Sequence, residues 1–156
     1  MRLTDILPAD RILVDADGAV VQDKQAALRL LAHLLAPAVG AERAVVEEVL
    51  AERERLQSTG IGDGVAIPHA SMEAAPRQAA ALLLCPGGVP FDALDGEAVT
   101  IIFGVVGPRG ATGEHLRTLA RISRLLRDAR TRARLVHADS AQKAHQLIHL
   151  QESDLR

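Results

Sequence analysis

A single α/β domain spanning residues 1–156, with its sheet covered by helices on both faces, is the fold class this sequence predicts. Three observations predict it. Residues 80–85 and 99–106 are nearly continuous apolar runs, the pattern of central strands buried on both faces. Stretches with the 3.6-residue apolar period of half-buried helices stand before and after those runs. A chain of 156 residues suits one domain, which buries roughly two-thirds of the surface its unfolded form exposes.

Taken in order, residues 3–7 form a short amphipathic lead-in ended by Pro8, and residues 11–14 a first strand closed by the Asp17-Gly18 turn. Asp23 is a candidate N-cap for a helix whose apolar positions 27, 28, 31, 34 and 35 keep the helical period until Pro37. A second helix follows Gly40 and runs to about Leu56, with Val45, Val46, Val49 and Leu50 on one face and Arg53, Glu54 and Arg55 at its end. A polar stretch, residues 72–78, leads into the strand 80–85, which the turn 86–90 closes. The Asp95-Gly96 turn precedes the strand 99–106. A helix over 114–127 is expected to bury Leu116, Leu119, Ala120, Ile122 and Leu126, and two short helices over 130–137 and 141–150 end the chain.

Composition narrows the function. Two Phe with no Trp or Tyr leave no aromatic platform for stacking bases, and a formal charge of −2 supplies no global attraction for nucleic acid or an acidic membrane. Cys85 is the lone cysteine, in an apolar run where a buried, inert thiol is expected, so internal disulfides and thiolate clusters are excluded. His145 and His149 share a helical spacing of four but lack a third ligand, so no metal is expected, and no cofactor. Neither a signal peptide nor a segment of about 20 apolar residues is visible, and a cytoplasmic location is expected.

One stretch, residues 57–70, does not resemble packing material. Gly60, Gly62 and Gly64 alternate, then Pro68, which has no N–H and a locked φ, fixes His69 at the end of the extended piece 65–67. A nucleotide-binding loop would need Lys-Ser or Lys-Thr after the glycines, or the G-x-G-x-x-G spacing, and neither is present. No G-x-S-x-G elbow marks a hydrolase. What remains is a nucleophilic histidine or a structural turn with an incidental one. A neutral imidazole carries a lone pair that attacks phosphorus, while glycine amides and the Ser58 or Thr59 hydroxyl can meet phosphoryl oxygens. Arg53 either caps its helix or reaches into this loop, and His115, in a helix's first turn, is placed to bind an anion.

The run Arg53-Glu54-x-Leu56-x-Ser58-Thr59-Gly60-Ile61-Gly62-x-Gly64-Val65-Ala66-Ile67-Pro68-His69 resembles the signature of the fructose/mannitol-type enzyme IIA domains of the bacterial phosphoenolpyruvate-dependent phosphotransferase system. Among these, the free-standing nitrogen-regulatory type is most similar. Phe91-Asp92-Ala93-x-Asp95-Gly96-x-x-Val99, His115-Leu116-x-x-Leu119-Ala120 and Lys24 also resemble that family. The resemblance implies an α/β sandwich with a mixed sheet and a phosphohistidine intermediate on His69, taken from a histidine-containing phosphocarrier protein. It further implies that His115, Arg53, Ser58 and Thr59 surround His69, with Gly60, Gly62 and Gly64 as the phosphate-cradling loop. The recipient would be a regulated protein or, in a sugar uptake system, an enzyme IIB; a sensor or interaction module that transfers nothing is the remaining alternative. Where many members have glycine and a basic residue after the histidine, this chain has Ala70 and Ser71, leaving Arg77, Arg109 and Arg117 to steer the donor.

Overall fold

The computed structural model describes residues 1–73 and 75–154. A short helix α1 (Leu3–Ile6) and a 3-10 turn (Ala9–Arg11) lead into β1 (Ile12–Val14), followed by α2 (Lys24–Val39) and α3 (Arg43–Leu56). The strands β2 (Gly60–Gly62), β3 (Val65–Ala66), β4 (His69–Met72), β5 (Ala79–Val89) and β6 (Val99–Pro108) come next, then α4 (Thr112–Arg127), α5 (Ala129–Val136) and α6 (Ala141–Asp154). None of the described helices is long and apolar enough to cross a membrane.

The sheet is mixed and has the order β1-β5-β6-β3-β2. β5 and β6 are antiparallel at its centre, while β1 joins β5, and β3 joins β6, in parallel. Strand β4 also pairs with β6 in parallel, beyond the end of β3, with His69 opposite Val105.

Alternation along the central strands builds two cores. Ala81, Leu83 and Cys85 of β5 and Ile102 and Val106 of β6 pack with α2 and α3. Ala80, Leu82 and Leu84, with Ile101, Phe103 and Val105, pack with α1, α4, α5 and α6. Both faces of the strands are therefore covered, which is why their sequences are apolar at nearly every position. Cys85 lies in the first core, where burial pushes its thiol up to about 12 and keeps it protonated.

Several boundaries differ from expectation for physical reasons. Asp23 caps α2 as expected, its side chain accepting from the Ala26 amide, but the helix continues past Pro37. Its stop is Gly40, which takes the left-handed conformation (φ 65°) and returns its amide to Ala36. The expected turn at 86–90 is instead an irregularity inside β5, whose register shifts between Leu84 and Val89 before Val89 pairs with Val99. Pro86 is exposed there, a place where its missing donor costs the ladder little. The buried stripe of α4 is Thr118, Ile122, Leu125 and Leu126; Leu116 is exposed, and so are Ala120 and Val45 of α3.

Candidate functional site

His69 opens β4, one residue after Pro68, on the side of the sheet that faces α4. Val65 and Ile67 before it belong to the α4-side core, whereas Ala66 and Met72 belong to the other. The Pro68 carbonyl accepts from the Val105 amide at 3.0 Å, so the line from β3 to β4 is interrupted but stays on the β6 edge. Pro68 thus holds His69 at the start of a second strand, not at the tip of a loop.

The His69 ring is half-buried, and its Nδ1 lies 2.7 Å from the Ile67 carbonyl oxygen. A carbonyl only accepts, so Nδ1 carries the proton and Nε2 keeps its lone pair. Burial lowers the affinity of the ring for a second proton, and nearby Arg53 lowers it further; the Ile67 hydrogen bond and Glu54 oppose them. The net shift is downward from the usual 6.5, so the ring is neutral at pH 7.

His115 comes from the first turn of α4, and its ring centroid lies 5.6 Å from that of His69, with the planes 50° apart. Burial and the neighbouring His69 lower its basicity as well. Its Nδ1 is buried and has no partner among the described residues. Beside it, Glu114 accepts from the Gln78 amide nitrogen at 3.1 Å, tying this turn to the start of β5.

A cavity of about 270 Å³ opens next to His69, lined among others by Arg53, Ser58, Thr59, Ile61, Leu94 and Leu119. Arg53 does both things weighed for it: Nη1 donates to the Gln57 carbonyl at 3.0 Å, closing the end of α3, while the side chain lines the cavity. The Ser58 hydroxyl donates to the Phe91 carbonyl at 3.0 Å, and the Thr59 hydroxyl donates to Glu54. Both hydroxyl protons are therefore committed inward.

The three glycines shape the hairpin and do not line this cavity. The Gly60 amide donates to Ser58 Oγ at 3.1 Å, and a Cβ on Gly60 would sit 2.8 Å from Cβ of Ala93, so the loop 91–95 crosses β2 at bare-backbone distance. Gly62 (φ 105°) and Gly64 (φ 76°) flank Asp63 in the β2–β3 turn, and the Gly64 carbonyl accepts from the Thr100 and Ile101 amides. Arg77, Arg109 and Arg117 are exposed, Arg109 within 3.7 Å of Glu73. Among the described residues no group of three His, Cys, Asp or Glu could hold a metal ion; His149 instead accepts from Arg2 at 3.3 Å.

Glu54, Ile67 and Phe91 escaped notice as site residues. Nothing in residue type distinguishes a carbonyl that will hold a histidine. Glu54 did leave a signal, because an acid in the last turn of a helix opposes the helix dipole and must be held by something else. What holds it is Lys24, whose Nζ lies 2.8 Å from Glu54 Oε2.

Residues 5–150 match the family described as "Phosphoenolpyruvate-dependent sugar phosphotransferase system, EIIA 2". A nitrogen regulatory protein of Pseudomonas aeruginosa is 37% identical over 151 residues, covering 95% of both chains. The crystal structure of nitrogen regulatory protein IIA-Ntr from Neisseria meningitidis superposes with a TM-score of 0.87 at 33% identity, over 94% of this chain and 98% of that one. The complex of enzyme IIA mannitol and phosphorylated enzyme IIB mannitol from Escherichia coli shares the fold, with a TM-score of 0.74 at 23% identity over 90% of this chain and 95% of that one. With the family match over residues 5–150, the identity to relatives across nearly their whole length and the shared fold in agreement, the chain belongs to the EIIA 2 family of the phosphoenolpyruvate-dependent sugar phosphotransferase system.

Proposed function

We propose that residues 1–156 act as one cytoplasmic enzyme IIA domain, a histidine phosphocarrier of the regulatory, nitrogen type, with His69 as the phosphoryl acceptor. The observation that carries this reading is the 2.7 Å contact from His69 Nδ1 to the Ile67 carbonyl, which leaves Nε2 unprotonated and nucleophilic. Nε2 attacks the phosphorus of a phosphohistidine on a histidine-containing phosphocarrier protein. The new P–Nε2 bond forms as the donor's P–N bond breaks, and the donor imidazole leaves with the electron pair. The Nδ1 proton stays in place, and positive charge developing on the ring is met by the Ile67 carbonyl.

With the Ser58 and Thr59 hydroxyl protons committed elsewhere, Arg53 and His115 are the side chains left to meet the phosphoryl oxygens in the resting arrangement. Gly60, Gly62 and Gly64 serve by letting the loop turn and by admitting residues 91–95. Exposed apolar side chains line the cavity: Ile61 and Leu94 are 52% and 65% exposed, and one turn from the lining residue Leu119 on α4 Leu116 is 60% exposed. Large apolar side chains gathered in the open beside a reactive group suit a protein partner, here the donor and then the recipient.

The recipient is a regulated protein, a reading supported by the nitrogen regulatory relatives. A second reading, transfer to an enzyme IIB in sugar uptake, has its support in the mannitol IIA and phosphorylated IIB complex of the same fold.

Incubation with phosphoenolpyruvate, enzyme I and the phosphocarrier should put an acid-labile phosphoryl group on the wild-type chain and none on His69→Ala. His115→Ala should label more slowly but still on His69. A non-transferring sensor would take no label, and a His69→Ala variant that labels like wild type would move the acceptor elsewhere.

A further inference from the structure

An ion pair with a buried carboxylate lies outside the lining of the His69 cavity, beside a second cavity between α2 and α3. Glu54, at the end of α3, is 6% exposed, and Lys24 reaches it from the first turn of α2. The other oxygen of the Glu54 carboxylate accepts the Thr59 amide at 3.1 Å and the Thr59 hydroxyl. A pair of apolar residues would hold two helices together at least as well, since burying charge costs more than it returns unless geometry is being fixed.

The geometry fixed here runs onward to the acceptor. The Thr59 carbonyl accepts the Ile67 amide at 3.0 Å, and the Ile67 carbonyl accepts His69 Nδ1–H at 2.7 Å. Pro68 has no amide of its own, so this turn of chain is anchored by the Ile67 amide on the Thr59 carbonyl and, beyond it, by the Pro68 carbonyl on the Val105 amide. A second branch starts from the same lysine: Lys24 Nζ stands 5.1 Å from the Phe91 ring centroid, and the Phe91 carbonyl holds the Ser58 hydroxyl. The first branch couples helices α2 and α3 to the imidazole and the second ties the loop beside β2 to the same lysine, which also lies 3.9 Å from the exposed Asp92; hydrogen-bonded groups in such a network polarise one another.

From this chain of contacts we infer that Glu54, neutralised by Lys24, is a positioning residue that sets the tautomer and orientation of His69 through Thr59 and Ile67, keeping Nε2 free. The inference rests on His69 being the phosphoryl acceptor. Its structural half, control of the tautomer, is readable without any transfer.

The decisive variant is the double substitution Lys24→Met with Glu54→Leu, which removes both charges together and leaves no buried ion alone, the cost being the lost acceptor of the Thr59 amide and hydroxyl. Ring nitrogen-15 shifts report the His69 tautomer, and labelling through enzyme I and the phosphocarrier reports transfer. Wild type should show the Nδ1–H form alone. The double variant should melt cooperatively yet show a mixture containing the Nε2–H form and take label about tenfold more slowly or worse, the size seen when partners that orient a functional imidazole are lost. Lys24→Arg should keep both properties of wild type. Where the double variant does not fold, Glu54→Gln carries the same two readouts. A folded double variant with the Nδ1–H tautomer and wild-type labelling overturns the inference while leaving His69 as acceptor. A wild type that takes no label overturns the acceptor reading, and the tautomer comparison still decides the positioning role.

Discussion

Two nitrogens of one ring are made unlike by a single carbonyl. Ile67 occupies His69 Nδ1, while burial and Arg53 keep a second proton off Nε2. The ring should therefore titrate below 6.5, and an NMR titration of the His69 ring should place its midpoint there. Replacing Arg53 with Gln removes a positive neighbour, so the midpoint should rise; a midpoint that stays put or falls would mean that Arg53 exerts no field on the ring. Because only the unprotonated ring attacks, phosphoryl uptake should fall off on acidification with a midpoint below 6.5. In the Arg53→Gln variant the failure should begin at higher pH.

At the level of elements, close approach between β2 and the loop 91–95 organises the mouth of the cavity. The Leu94 amide donates to the Gly60 carbonyl at 3.0 Å, and Ala93 leaves no room for a Cβ on Gly60. Gly60→Ala should cost about 1–3 kcal/mol, the usual effect of overpacking, and urea unfolding would measure it. An unchanged midpoint would mean that the loop moves aside freely. The strands over 80–85 and 99–106 were legible because burial on both faces forces apolar residues at nearly every position, and α2 and α3 because their stripes keep the helical period. The α4 stripe differs from expectation because Leu116 and Ala120 continue an apolar pattern past the point where the core ends, on to the exposed face of the helix. Residues 57–70 announced the histidine through side chains and glycine spacing. The Ile67 and Phe91 carbonyls could not be announced, since every residue has one and only the folded path decides where it points.

For the molecule as a whole, His69 and His115 link proton uptake to unfolding. Both have folded affinities below the unfolded value near 6.5, so between those values the unfolded chain binds more protons and stability rises with pH. The stabilising contribution is present above 6.5 and is lost as pH falls through the folded values. Urea midpoints should therefore drop on acidification below pH 6.5, and replacing both histidines with Asn should blunt the drop; an equal drop in that variant would assign it to other groups. The proposed acceptor, His69, stands as a rung between β4 and β6, with Val105 opposite and the Pro68 carbonyl bonded beside it. A strand laddered to the centre of the sheet belongs to the stable part of a fold, unlike fraying ends and loops. With His69 loaded as proposed, a partner that distinguishes the loaded from the empty form would read added charge on a laddered strand, an electrostatic message rather than a change of shape.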